Sequence, residues 1–139
     1  MASQKQTTGI TALKKARSPH QPTGQWIRPD ARLAIYLRDG FRCLLCLKDL
    51  HDADPRDVTL DHVKPKADGG SNKPDNLYCC CRSCNCARQA TPLTRFAGPE
   101  TVRHIRRNLK RSMTSYRKLA KALISGETGF EDALATTAR

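Results

Sequence analysis

The stretch VTLDHVKPKADGGSNKPDNLYCCCRSCN, residues 58–85, decides how this chain folds. Val58-Thr59-Leu60 alternates as a strand does and delivers Asp61-His62 at its end. Pro65 has no N–H to give a ladder, so regular pairing stops near it. Asp68-Gly69-Gly70-Ser71-Asn72, extended by Pro74 and Asp75, is dense turn chemistry, and Asn76-Leu77-Tyr78-Cys79-Cys80 then resumes an extended pattern. These segments predict a hairpin with a long loop. Cys81-Arg82-Ser83-Cys84 closes it as a tight turn with two convergent sulfurs, and Phe41-Arg42-Cys43-Leu44-Leu45-Cys46 holds the same turn upstream.

Two Cys-x2-Cys turns supply four thiolates, the tetrahedral set that a structural zinc prefers, so Cys43, Cys46, Cys81 and Cys84 are the expected ligands. The chain between Cys46 and Cys81 is longer than the roughly 15–20 residues of a compact zinc ribbon. It is long enough to hold the whole hairpin, so the zinc would tie together the two ends of an inserted unit. Seven cysteines leave Cys79, Cys80 and Cys86 over. Cys79 and Cys80 are expected to pack as small apolar residues, and a register shift that makes Cys80 a ligand stays open. No apolar run has the length of a signal peptide or a membrane span, which predicts a cytosolic protein with reduced thiols. Paired cysteines there read as metal ligands rather than disulfides.

A chain of 139 residues, 38% apolar and 5% aromatic, allows one small α+β domain with a modest core that needs such a staple. Its net charge of +12, from 25 Lys and Arg against 13 Asp and Glu, points to a polyanionic partner. Residues 1–28 carry basic but no acidic residues among Ser, Thr, Gln, Gly and Pro, and read as a disordered basic arm. Pro29 and Asp30 open a short helix that Asp39-Gly40 ends. The polar stretch Lys48 to Asp57 is a loop, and a helix opening at Asn85 is limited by Pro92. Val102, Ile105, Leu109, Met113, Tyr116, Ala120 and Leu123 recur by threes and fours, predicting one long basic amphipathic helix over 98–125. A flexible tail, 126–139, would follow.

Adjacent residues on a strand point to opposite faces, so Asp61 and His62 need a slight bend to serve one phosphate. Asn85, an oxygen donor at the start of a helix, could share with Asp61 a magnesium-like ion, which favours oxygen ligands. The order Cys-x2-Cys, Leu60-Asp61-His62-Val63-x-Pro65, Gly69-Gly70, Asn76-Leu77 and Cys81-Arg82-Ser83-Cys84-Asn85 resembles the HNH endonucleases, the ββα-metal nucleases, over about Pro29 to Arg95. The resemblance implies an HNH nuclease domain over 29–97 that hydrolyses phosphodiester bonds of double-stranded DNA, by nicking or double-strand cleavage. Its catalytic set would be His62, Asp61, Asn76 and Asn85. His62 would be the general base, Asp61 and Asn85 would bind Mg2+ or Mn2+, and Asn76 would brace the loop and help orient His62. The chain departs from the resemblance in two places, since many members of that family have Lys-Gly near Arg88-Gln89 and aliphatic residues at Cys79 and Cys80.

Arg82, Arg88, Arg103, Arg106, Arg107, Lys110 and Arg111 are the expected nucleic-acid contacts. Small stand-alone proteins of this kind resemble phage packaging-associated, restriction and mobile-element nucleases of a bacterial or phage-infected cytoplasm. The long helix would suit a homodimer seam as well as an intramolecular core. The competing reading is a non-catalytic, zinc-stapled nucleic-acid-binding module, which would not need the trio Asp61, His62 and Asn85.

Overall fold

The computed structural model describes residues 27–137. The basic arm expected over 1–28 therefore lies outside the described residues, except for its last two positions. Helix α1 (Pro29–Arg38) starts on a proline, with Asp30 in its first turn and Arg38 in its last, charges that suit the helix dipole. It is buried all round from Leu33 onward, because the hairpin packs on one side and the C-terminal helices on the other. The apolar spacing of Leu33, Ala34 and Leu37 is thus part of a wider buried surface that includes Ile35 and Tyr36.

The hairpin is the expected one: β1 (Val58–His62) pairs antiparallel with β2 (Leu77–Cys81), with Val58 opposite Cys81 and His62 opposite Leu77. Single 3-10 turns precede β1 at Pro55–Asp57 and punctuate the long loop at Lys66–Asp68 and Pro74–Asn76. Helix α2 (Arg82–Arg88) starts earlier than Asn85, because the Cys81 sulfur caps it by accepting from the Cys84 N–H at 3.4 Å. It ends at Gln89, and Pro92 opens a separate short turn, α3 (Leu93–Phe96).

The single long helix over 98–125 is corrected to two, α4 (Pro99–Leu109) and α5 (Thr114–Ser125). The break over 110–113 contains neither Pro nor Gly. Asn108 Nδ2, buried, donates to Asp39 Oδ1 at 3.1 Å and ties the end of α4 to the end of α1. The Ser112 hydroxyl, 3.3 Å from Thr114 Oγ1, also accepts from the Thr114 N–H, a local alternative to helix continuation. The chain then redirects, and α5 packs along α1. The tail is corrected too: Phe130–Thr137 forms α6, with Phe130 and Ala133 buried. Phe130 meets Phe41 edge-on at 4.9 Å between ring centres.

One buried ion pair locks these layers to the hairpin. Arg38 pairs with Asp39 at 2.8 Å and donates to the carbonyls of Pro74 and Leu77 at 2.8 and 2.6 Å. Asp39 Oδ2 accepts from the Cys79 N–H at 2.8 Å, so both charges have their hydrogen-bonding capacity engaged.

Candidate metal centres and nuclease site

Both knuckles are built by N–H···S bonds, Cys46 N to Cys43 Sγ and Cys84 N to Cys81 Sγ, each 3.4 Å. Leu47 closes the first knuckle with a left-handed backbone, φ 65°, and donates its N–H to the Cys43 carbonyl at 2.8 Å. The four sulfurs lie within 4.8 Å of one another, and Cys46 and Cys81 are 3.9 Å apart. A tetrahedron with Zn–S bonds of about 2.3 Å has edges of about 3.8 Å, so this set fits zinc. The register also settles Cys80: it stands beside the set rather than in it. Its buried thiol donates to the Cys81 carbonyl at 3.3 Å, and its interaction with the neighbouring Cys43 thiol pushes Cys43 down to about 4 and Cys80 itself well above its usual range. That direction favours the thiolate form of Cys43, the form a metal requires. Cys79 is buried, as expected, and Cys86 is exposed.

Asp61 ends the strand face covered by α2. Its Oδ2 accepts from Tyr78 Oη at 2.6 Å and from Arg88 Nη1 at 2.8 Å, and its Oδ1 accepts from the His62 N–H at 2.9 Å. Burial first, and then the neighbouring Asp61 charge, push the Tyr78 hydroxyl far up, so it remains a donor. Asn85 Nδ2 donates to Thr59 Oγ1 at 3.0 Å and to the Leu60 carbonyl at 3.2 Å, on the same face as Asp61. These bonds fix the amide plane, and Asn85 Oδ1 has no donor on it among the described residues. A carboxylate oxygen offers about two lone pairs, so Asp61 Oδ1 retains one after its backbone bond. Asp61 Oδ1 and Asn85 Oδ1 are thus two oxygen donors of the kind that a magnesium-like ion prefers.

Arg88 is not the phosphate contact expected of it. It is fully buried, and beyond Asp61 it donates to the carbonyls of His62, Val63 (2.9 Å) and Thr91 (2.9 Å). The end of β1 is bent and held by this one side chain. Its positive charge on Oδ2 also opposes a second cation at the same carboxylate.

The His62 ring is turned to the long loop, where Nε2 lies 2.8 Å from Asn72 Oδ1. An amide oxygen only accepts, so Nε2 carries the proton and the lone pair of the neutral imidazole sits on Nδ1. Asn76 braces the loop as expected: Oδ1 accepts from the Lys64 N–H at 2.9 Å, and Nδ2 donates to the carbonyls of Lys64 and Ser71 at 3.1 and 2.9 Å. Gly70 makes this closure feasible, since a Cβ there would collide with the Lys64 carbonyl and lie 2.9 Å from Asn76 Nδ2. Sequence reasoning placed Asn72 only in a turn and gave Tyr78 no role. Their one signal was the turn cluster and the strand register, neither of which names a side-chain partner.

Arg82, Arg103, Arg106, Arg107, Lys110 and Arg111 are all exposed, the last two in the break between α4 and α5. No helix of the described residues is long and apolar enough to cross a membrane. No curated protein and no solved structure matches the chain. Residues 43–96, which span both knuckles, the hairpin, α2 and α3, match the family described as HNH endonuclease (HNH_5).

Proposed function

We propose that the chain is a metal-dependent DNA endonuclease with His62 as its general base. The observation that carries this reading is the 2.8 Å bond from His62 Nε2 to Asn72, which sets the tautomer with Nδ1 as the proton acceptor. His62 takes a proton from the attacking water at Nδ1, and the imidazolium that forms keeps its Nε2–H bond to Asn72. Asp61 and Asn85 hold the divalent ion, Mg2+ or Mn2+. When bound, that ion stabilises the charge developing on the scissile phosphate and the leaving oxygen. Arg88 and Asn76 position these groups by holding the end of β1 and the loop behind it. The four-cysteine set carries zinc as the structural staple, and the exposed basic side chains of α4 and the knuckles meet duplex DNA.

The test is conversion of supercoiled plasmid with Mg2+, with Mn2+ and with chelator, run beside His62→Ala. Metal-dependent nicks that fall by about 10²–10⁴ in the variant, with zinc content unchanged, are expected. Equal nicking by both proteins would overturn the assignment. A second reading, a non-catalytic nucleic-acid-binding module, draws on the Asp61–Arg88 pair at 2.8 Å, which already neutralises the carboxylate. Plasmid binding with no nicks under either ion would favour it.

A further inference from the structure

The zinc knuckle and α4 enclose an open groove of about 520 Å3 lined by Leu44, Leu47, Glu100, Arg103, His104 and Arg107, with none of the proposed nuclease residues in it. Glu100, Arg103, His104 and Arg107 share one helix face, distinct from the face that buries Val102, Ile105 and Asn108. Arg103 and Arg107 are exposed and about 6 Å apart along the axis. Arg42 adds a third guanidinium at the knuckle tip, where its Nη1 donates to the Leu47 carbonyl at 2.9 Å. The only acid of the groove, Glu100, is 3.8 Å from Arg103 and almost wholly exposed, so the surface is net positive.

Leu47 makes this groove unlike a merely solvated basic face. It is 56% exposed and has φ 65°, a backbone region that Gly or Asn would enter with less strain. A large apolar side chain is thus presented to solvent from a strained position on a zinc-held turn. Strain of this kind is concentrated where a ligand is met.

We propose that this groove seats the backbone of duplex DNA, with Arg103, Arg107 and Arg42 on successive phosphates and Leu47 against the sugars. The site rests on the reading of the chain as a DNA endonuclease and gives that reading an anchoring surface apart from the cleavage residues. Complementary charge selects a polyanion, and two cations about one helical turn apart on a rigid helix, with a third at the knuckle, suit an extended phosphate backbone over a compact anion.

The experiment measures fluorescence anisotropy of a labelled duplex with the zinc-loaded full chain, with Ca2+ in place of Mg2+, from about 50 to 200 mM salt. Arg103→Gln/Arg107→Gln is expected to lower affinity at least tenfold and make the salt slope shallower by about 1.8, at 0.9 per lost phosphate contact. Leu47→Asn, which suits the left-handed backbone, is expected to lower affinity with the slope unchanged. Arg117→Gln/Lys118→Gln on α5 removes the same charge and is expected to change the slope little. Equal losses in the two charge pairs, or an unchanged slope in the first, would overturn the groove. Nicking by the wild-type chain is scored separately: binding that follows this pattern without nicks removes the nuclease reading and keeps the groove, and nicking with the pattern absent does the reverse. Zinc content and melting temperature of each variant confirm that it is folded.

Discussion

His62 shows how much a single residue owes to partners that are distant in sequence. Its proton sits on Nε2 because Asn72 accepts there, so Asn72 is a positioning residue for the proposed base. Asn72→Ala should lower the nicking rate by about 10–100-fold, the range for losing the partner that orients a working histidine. Its pH–rate profile should move as well, whereas a loss of stability alone would leave the profile in place. Gln89 is the second residue with a measurable consequence. It ends α2 with φ 51° and ψ −125°, a region suited to glycine. Gln89→Gly should raise the unfolding free energy by about 1 kcal/mol or more, read by urea denaturation. No gain would show that its side chain has contacts that offset the strain. Gly70→Ala should act in the opposite sense, since the Lys64 carbonyl occupies the space of the new methyl.

At the scale of elements, the two knuckles and the hairpin form one unit, with Cys81 serving at once as strand end, helix cap and candidate metal ligand. Zinc removal should therefore unfold the hairpin and α2 together. Chelation is expected to lower the thermal midpoint sharply and to flatten the far-ultraviolet signal in the same step, and Cys84→Ser should act likewise. A chelated chain that melts unchanged would exclude a structural zinc. The pair Arg38–Asp39 joins α1 to β2. Asp39→Asn leaves a buried guanidinium without its counter-charge, and the expected cost is about 3–5 kcal/mol by chemical denaturation. Arg88 has the same role on the other strand, clamping Asp61 and the carbonyls after it. Arg88 reads as phosphate-bound in a linear sequence, and Arg38 carries no signal there, because burial of a charge depends on carbonyls supplied from elsewhere in the chain.

For the whole molecule, a net charge of +12 on 139 residues makes association with DNA strongly salt-dependent in the proposed function. Affinity for a duplex of arbitrary sequence should fall by about 10³-fold or more from 50 to 200 mM salt if six phosphates are engaged. A flat salt series would argue against the basic surface having that role. The hairpin, both knuckles and the four-cysteine set were legible in the sequence because their signals are local: turn residues, strand alternation and cysteine spacing. Helix α1 was legible from Pro29 and Gly40 for the same reason. The break of α4 from α5 was not. Apolar residues kept their helical spacing across Lys110–Met113, and the buried bond from Asn108 to Asp39 that accompanies the turn exists only once α1 is in place. The docking of α6 through Phe130 depends likewise on Phe41 and His51, which are remote in sequence.

The sequence by itself determined the four-cysteine frame, the hairpin and the helices that flank it, the basic net charge and the candidate trio Asp61, His62 and Asn85. Only the tertiary structure decided what each polar side chain faces. Arg88 became an internal clamp on Asp61, Asn72 became the partner of His62, and Cys80 became a buried neighbour of the four-cysteine set rather than a member of it. The physical reason is that backbone pattern and ligand spacing act over a few residues. The role of a charge or an amide is set instead by the donors and acceptors that folding brings within about 3 Å.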